Sequence, residues 1–195
     1  MEIKNILKNW RFWLAIFILI IGIVLNQLFS IYILENNKNL PILNDFILDK
    51  IPYFNCAIVY DVIVLFSIFL FIFYIAKYDK EKTIYFIYLF SILQFIRAFF
   101  IILTPMGAPS NDAGLVDSAS FIVGMYPSGH TGATFLAFLL AKKWKLLFLI
   151  LSILVISLLF LGRGHYSIDI LSAILFSYAI FCFGEKYLKN YLRLK

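Results

Sequence analysis

The chain has 195 residues, of which 63% are hydrophobic, 19% aromatic and only 14% charged, and its mean hydropathy is +0.94. A soluble domain of this size would expose far too much apolar surface, so the composition predicts an integral membrane protein. The net charge of +6 would suggest nucleic-acid binding in a soluble protein, but here the basic residues flank apolar segments. That arrangement is how membrane topology is set, and it excludes nucleic acid as a partner.

Six apolar segments follow one another along the chain, separated by polar connections. About 20 apolar residues are needed to cross ~30 Å of hydrocarbon, and each segment reaches or approaches that length. We therefore predict an all-α integral membrane protein, a single six-helix membrane domain over residues 1–195. The first segment is too long for a signal-peptide core and is expected to stay as an anchor. The predicted spans are about 12–33, 55–76, 83–103, 128–141, 145–161 and 166–183.

The basic residues predict which side of the membrane each loop occupies. If the six spans alternate, 13 of the 17 basic residues fall on one side, and such residues accumulate on the cytoplasmic side. They are Lys4, Lys8, Arg11, Lys77, Lys80, Lys82, Lys142, Lys143, Lys145, Lys186, Lys189, Arg193 and Lys195. Both termini are therefore predicted to be cytoplasmic, in a plasma or inner membrane. The loops before residues 128 and 166 then face the periplasmic, extracellular or lumenal side.

The two histidines of the chain lie in two polar runs, each at the start of an apolar segment. These runs are residues 126–132 (YPSGHTG) and 162–169 (GRGHYSID). An ionisable group within a membrane is costly to insert, so its presence indicates a functional site. Because both runs open on the same predicted side, we expect them to form one shared site.

The first run has the pattern of a helix start. Ser128 is a good N-cap, and Gly129 would let a ligand approach the backbone closely. The free N–H groups of the first turn attract an anion, and His130 is placed to give a proton to a departing oxygen. The alternative is a capped helix whose histidine reaches the membrane interface.

The fourth predicted span is short for a membrane crossing. Its 14 residues make a helix of about 20 Å, less than the ~30 Å of hydrocarbon. Its start is therefore expected within the outer leaflet. Residues 104–127 would then enter that leaflet and would have to be shielded from lipid by the rest of the protein. That depth suits a lipid headgroup better than a soluble substrate.

In the second run, His165 and Asp169 are four residues apart and would share one face of a helix. A carboxylate there fixes the imidazole tautomer and leaves the other ring nitrogen free to attack. The alternative is a structural bond that ties the sixth helix to a neighbour.

Three more charged residues are candidates for the same site. Arg97 and Arg163 could hold a phosphoryl group, because the fork of an arginine matches its oxygens bidentately. Their alternatives are an interfacial arginine and an ordinary loop charge. Asp61 is an intramembrane carboxylate that could pair with either arginine or hold a cationic headgroup, in a structural or a functional role. Asp112 and Asp117 are expected to be solvated.

These motifs resemble a known superfamily. Residues 127–130 (PSGH), followed by His165 and Asp169 at the opening of a later helix, resemble the type 2 phosphatidic acid phosphatase superfamily. Residues 165–169 (HYSID) resemble the His-Tyr-Thr-x-Asp motif of sphingomyelin synthases. Arg97 followed by Thr104-Pro105 is similar to the third-helix region of those enzymes, as, more weakly, is the stretch 40–52. The resemblance covers the chain from about residue 40 to its end.

The resemblance implies a six-span fold, a membrane lipid substrate, and chemistry without metal or cofactor. His165 would be the nucleophile that forms a phosphohistidine, oriented by Asp169. His130 would be the general acid on the leaving group and would later deprotonate the acceptor. The phosphate would be held by Arg97, Arg163, Ser128 and the backbone of Gly129 and His130.

The sequence also departs from the family patterns. Arg97 is followed by Ala98, and no lysine stands seven residues before it, so the first phosphatase motif is missing. Leu159 stands where the third motif carries arginine, and residues 122–124 (IVG) replace the Cys-Gly-Asp of the synthases. The chain thus combines a phosphatase-like second motif with a synthase-like third.

Several functions are compatible with these residues. The leading hypothesis is a lipid phosphatase or phosphotransferase that acts on an outer-leaflet phospholipid or lipid (di)phosphate. A synthase-like headgroup transferase and a phospholipase C-type hydrolase are its variants, and no motif specifies the acceptor or the oligomeric state. The other classes are a transporter or scaffold with a buried ion network, a serine protease using Ser128, and a metal site made by His130, His165 and Asp169.

Overall fold

The structure is a computed structural model that describes residues 3–37, 39–109, 123 and 125–192. Within these ranges the chain forms helices and no β-strand. The helices are α1 (Ile3–Leu7), α2 (Trp10–Asn36), α3 (Ala57–Tyr78), α4 (Thr83–Leu103), α5 (Gly129–Leu140), α6 (Lys145–Leu161), α7 (Ser167–Phe183) and α8 (Lys189–Leu192), with 3-10 turns at Leu48–Lys50 and Lys80–Lys82 and a π-helical turn at Gly184–Leu188.

Four helices of the described chain are long and apolar enough to cross a membrane. They are α2, α3, α4 with its preceding turn, and α7 with its continuation to Leu192. The shorter apolar helices α5 and α6 have 12 and 17 residues, or about 18 and 26 Å at 1.5 Å per residue. This architecture agrees with the prediction of an α-helical protein embedded in a membrane.

The observed helices follow the predicted apolar segments closely. The segments 83–103 and 145–161 coincide with α4 and α6. The largest difference is at the first helix, which extends to Trp10–Asn36 because Asn9 caps its start and polar residues continue its last turn. Helix α2 begins there because the Asn9 side chain accepts a hydrogen bond from the Arg11 backbone at 2.9 Å.

Helix α5 lies at the centre of the helical packing. It contacts α3, α4, α6 and α7, while α2 packs along α4 on the outside. An aromatic cluster stabilises the end of the bundle away from the start of α5, where the ring centroid of Phe71 lies 5.6 Å from that of Phe86 and 5.6 Å from that of Phe148. Because four helices converge on α5, the first turn of this helix is surrounded by side chains from distant parts of the chain.

The connection between α2 and α3 covers the ends of the later helices. The Phe54 backbone donates to Leu161 at 2.9 Å, and Leu48 packs against Met106, Met125 and Tyr166. We call residues 39–56 the covering segment. Met106 and Met125, near the two ends of the 104–127 loop, are buried. Residues 110–122, with Asp112 and Asp117, lie outside the described residues, as do Lys38, Arg193 and Lys195.

Candidate active site

Helix α5 starts where its cap residue predicts. The Ser128 hydroxyl accepts a hydrogen bond from the Thr131 backbone at 3.2 Å, so Ser128 is the N-cap and His130 is the second helical residue. The preceding Tyr126–Pro127 peptide bond is cis. The backbone N–H of Ser128 donates to the carbonyl of Asp169 at 3.1 Å and so joins the two histidine runs directly.

The prediction that His165 and Asp169 share a helix face is wrong in its geometry. Helix α7 begins at Ser167, with Tyr166 as its N-cap, so His165 precedes the helix. Asp169 is the third helical residue, and its Oδ2 accepts the Tyr166 backbone N–H at 2.9 Å, as in a capping box. The same oxygen lies 3.3 Å from Nδ1 of His165. The carboxylate reaches the histidine because it folds back over the helix start.

Four ionisable side chains form a continuous contact series, which we call the acid–histidine chain. Nε2 of His130 lies 2.8 Å from Oδ1 of Asp61, and Nδ1 of His130 lies 3.3 Å from Nε2 of His165. The series ends at Asp169. Asp61, His165 and Asp169 are almost completely buried, whereas His130 is partly exposed. The two histidine runs thus meet at one place.

Asp61 has a different neighbour from those considered for it in the sequence. It lies against His130 on α5, with its Oδ1 2.8 Å from Nε2 of that ring. Helix α3 packs on α5, and Asp61 comes in the second turn of α3, at the level of the first turn of α5. Each imidazole therefore has a carboxylate of its own.

The charges decide where the protons of the acid–histidine chain sit. An ionised carboxylate only accepts hydrogen bonds, so Nδ1 of His165 and Nε2 of His130 carry the donated protons. The two facing nitrogens share a hydrogen bond only if one more proton lies between them. Burial lowers the pKa of His165 below its ordinary value, against the opposing hydrogen bond and charge of Asp169. A neutral His165 whose Nδ1–H faces Asp169 carries its lone pair on Nε2, the nitrogen that faces His130.

Arg97 lies against the start of α5. Its Nε donates to the Pro127 carbonyl at 3.0 Å. A Cβ at Gly129 would come within 2.6 Å of Nη1 and 2.7 Å of Cζ, so only glycine leaves room for this guanidinium. The space beside Gly129, expected to admit a ligand, is occupied by Arg97. A cation at the positive end of a helix needs nearby negative charge, which Asp169 supplies in part.

Arg163 is directed at the covering segment rather than at the imidazoles. It has a positive φ of 47°, its Nη2 lies 3.5 Å from the Leu48 carbonyl oxygen, and its guanidinium carbon is 5.9 Å from the Tyr53 ring centroid. Its Nε is buried and has no hydrogen-bond partner among the described residues. A positive φ is a strained conformation for arginine, and strain of this kind concentrates at functional sites.

Asp45, which no sequence motif singles out, holds the start of α7. Its Oδ2 accepts the Ser167 backbone N–H at 2.6 Å, and its Oδ1 accepts those of Ile47 and Leu48. Burial alone would raise the pKa of Asp45, but these hydrogen bonds outweigh burial and place the pKa below its ordinary value. An isolated aspartate in a loop carries no sequence signal for this contact.

Tyr166 makes the second link between the covering segment and the site. Its hydroxyl accepts the Leu43 backbone N–H and donates to the Gly107 carbonyl, both at 3.1 Å. Together with Asp45, it fixes the two residues that follow His165 in the chain. The position of His165 is therefore set from both the helix side and the covering segment.

Within the described ranges, no group of three or more histidine, cysteine, aspartate or glutamate side chains has the arrangement of a metal site. The ring nitrogens of His130 and His165 face each other instead of converging on a common point.

No protein-family model matches the sequence, and no curated protein matches it significantly. The geometry of the site is therefore the guide to its function.

Proposed function

We propose that this protein is a membrane-embedded lipid phosphatase or phosphotransferase that works through a phosphohistidine on His165, in the manner of the type 2 phosphatidic acid phosphatase superfamily. The observation that carries the proposal is the contact of two imidazoles, each backed by its own buried carboxylate. Arg97 lies beside them at a helix start. Nucleophile, acid and anion-binding group are the three parts that phosphoryl transfer requires.

In the first half-reaction, the Nε2 lone pair of His165 attacks phosphorus and forms an N–P bond. The bond from phosphorus to the leaving oxygen breaks, and its electron pair departs with that oxygen. His130 transfers its Nδ1 proton to the departing oxygen, which leaves as an alcohol or, from a diphosphate, as a lipid monophosphate. Asp169 stabilises the positive charge that develops on His165.

In the second half-reaction, neutral His130 takes a proton from the acceptor. The acceptor oxygen attacks phosphorus, the N–P bond breaks, and its electron pair returns to Nε2 of His165. Water as acceptor gives inorganic phosphate or a free phosphorylated headgroup, and a lipid alcohol gives a new headgroup-bearing lipid. His130 ends protonated, as it began, so the cycle balances.

The substrate must separate the two histidines to react. A reactive geometry needs about 3–3.5 Å between the attacking nitrogen and phosphorus, and the leaving oxygen must also fit before His130. The 3.3 Å between Nδ1 of His130 and Nε2 of His165 leaves no room for a phosphoryl group. His130 is partly exposed while His165 is buried, so His130 is the ring that moves.

Two features favour an anion at this position. The dipole of α5 adds positive charge at the first turn of the helix. Arg97 adds a full positive charge beside Gly129.

We place this site in a six-span protein with both termini in the cytoplasm. Two observations support that topology. Four helices have transmembrane length and two shorter helices are apolar. Most basic residues fall in the loops that this topology places on the cytoplasmic side. The site would then face the periplasmic, extracellular or lumenal side. Because α5 is too short to span the hydrocarbon, its first turn would lie within the outer leaflet, at the depth of a lipid headgroup.

The other functions account for fewer of the contacts. A transporter or scaffold needs an ion network, but it has no need for two imidazoles in contact with each other. A serine protease using Ser128 needs a free hydroxyl, and this one is buried and accepts the Thr131 N–H. A headgroup transferase or phospholipase C-type hydrolase shares the proposed first half-reaction and differs in the leaving group or the acceptor.

The decisive experiment is a product inventory by mass spectrometry. Purified wild type and His165→Ala would be given phosphatidic acid, a prenyl diphosphate, phosphatidylcholine, phosphatidylethanolamine, diacylglycerol and ceramide in one mixed micelle. We expect phosphate or a new headgroup-bearing lipid from the wild type alone. Asp49→Asn, an exposed carboxylate of the covering segment, is the matched control. Equal product from wild type and His165→Ala would overturn the mechanism.

A further inference from the structure

A second feature of the fold is a cavity of about 500 Å³ between α2 and α3, with α4 and α5 forming its back wall. This volume is in the range of small-molecule binding sites, about 300–1,000 Å³. Its walls are apolar apart from a few side chains such as Ser67 and Lys80. We call it the α2–α3 cavity.

The α2–α3 cavity runs toward the acid–histidine chain. At the far end it is lined by Lys80 and Thr83, and at the near end by Gln94 and Thr134. From Thr83 to Gln94, α4 advances about 16 Å at 1.5 Å per residue. The Thr134 hydroxyl donates to the His130 carbonyl at 3.0 Å. Gln94 precedes Arg97 by three residues, so the cavity ends about one helical turn from both site residues.

The surroundings determine the chemistry of the occupant. The cavity lies between helices of transmembrane length, and lining side chains at its mouth are exposed, Ile23 by 47% and Ile72 by 59%. It therefore opens onto hydrocarbon rather than water. Lipid tails are as apolar as the leucine and isoleucine side chains, so a tail entering from the bilayer gains little from burial itself. The cavity instead selects by length and shape, and it orients the tail.

We propose that the α2–α3 cavity binds a hydrocarbon chain of a membrane lipid and so places the headgroup of that lipid at Arg97 and His165. The inference rests on the proposed function for its headgroup chemistry and on the cavity for its tail. A tail longer than the cavity has to leave it at the Lys80 end. The substrate class is therefore a phosphorylated lipid with at least one extended chain, turned over with a preference in chain length.

The test uses phosphatidic acid that carries a diazirine in its acyl chain, with the full-length protein in phospholipid nanodiscs. After irradiation, mass spectrometry would locate the cross-linked peptides. Ile72→Trp fills the cavity, and Ile150→Trp makes the same change on α6 at a position that is 54% exposed and does not line it. Ala76→Phe shortens the cavity at its far end through an exposed residue.

We expect cross-links on cavity-lining α3 and α4 peptides, several-fold weaker in Ile72→Trp and unchanged in Ile150→Trp and His165→Ala. Turnover of short-chain phosphatidic acid should survive in Ala76→Phe, while long-chain turnover falls several-fold. Uniform labelling of all lipid-facing helices, equal in both tryptophan variants, would overturn the inference even if turnover required His165. Cavity-specific labelling with no turnover of any lipid would support the binding site and overturn the proposed reaction instead.

Discussion

Nε2 of His130 lies 2.8 Å from Oδ1 of Asp61, a residue 69 positions earlier in the chain. This contact gives the second histidine a carboxylate of its own, as Asp169 does for His165. Each imidazole thus has a carboxylate to which the ring nitrogen facing away from the other histidine can donate. In the proposed mechanism His130 is the general acid, and Asp61 orients its ring and supplies a counter-charge beside it.

Asp61→Asn is expected to slow turnover about 10²-fold or more, because general acid catalysis is worth about 10²–10⁴-fold and the acid would lose its counter-charge. The loss should be much smaller for a substrate with a good leaving group, such as a p-nitrophenyl phosphate ester, which needs little protonation. Steady-state rates with both substrate types check this, with Asp49→Asn as control. An equal loss for both would mean that Asp61 acts on the fold rather than on His130.

Asp169→Asn is expected to reduce kcat by about 10³–10⁴-fold, because an amide can hold the wrong tautomer of its histidine partner. Circular dichroism and the elution volume on gel filtration should stay unchanged. If Asp169 were only a capping residue for α7, the variant would instead lose stability and keep its kcat per folded molecule.

His130→Ala should trap the covalent intermediate when the leaving group is good. His165 can still attack such a substrate, but no base remains to activate the acceptor. Acid-labile, alkali-stable phosphate should then accumulate on His165, and peptide mass spectrometry would locate it. Phosphate labelling of the double variant His130→Ala,His165→Ala would instead show that another residue is the nucleophile.

The pH dependence of kcat/KM should reflect the protonation of His165. Burial lowers the pKa of His165, so kcat/KM should fall on the acid side only at pH values below the ordinary 6.5. Asp169 raises this pKa by its hydrogen bond and its charge, so Asp169→Asn should move the acid limb to still lower pH. An acid limb that moves upward in the variant would contradict the assignment.

Asp45→Asn is expected to lower stability at pH 7 by about 1.5–3 kcal/mol, the usual worth of a hydrogen bond to a charged group. Since the folded pKa of Asp45 lies below its ordinary value of 3.8, its contribution is full above about pH 4. It is lost as the pH falls through the folded pKa. Thermal unfolding of the wild type and the variant should therefore differ at pH 7 and converge in acid. A constant difference across that range would exclude the charge as its origin.

Gly129→Ala tests the position of Arg97. Its Cβ would meet the guanidinium at 2.6 Å, so the arginine must move away from the start of α5. We expect inhibition by inorganic phosphate to weaken at least tenfold. Gly107→Ala is the matched control, because its Cβ meets only ordinary contacts at 3.5 Å. Unchanged inhibition in Gly129→Ala would place the phosphate elsewhere.

Local features of the chain were readable from the sequence because their causes are local. Apolar runs give the helices within a few residues, since a helix in hydrocarbon must satisfy its own backbone. The start of α5 follows from Ser128, whose hydroxyl can cap only the residues next to it. The pairing of His165 with Asp169 was predicted from spacing, although a helix cap rather than a shared helix face brings them together.

The remaining contacts depend on how distant helices pack. Asp61 meets His130 across 69 residues, Arg97 meets Pro127 across 30, and Asp45 meets Ser167 across 122. Whether the two residues of a pair meet depends on the packing. It is set by the faces of α3, α4 and the covering segment that contact α5 and α7. Those faces are nearly uniformly apolar, so the sequence carries no pattern that aligns them. The sequence by itself determined the helices and the reactive residue types, and only the packing decided which acid serves which histidine.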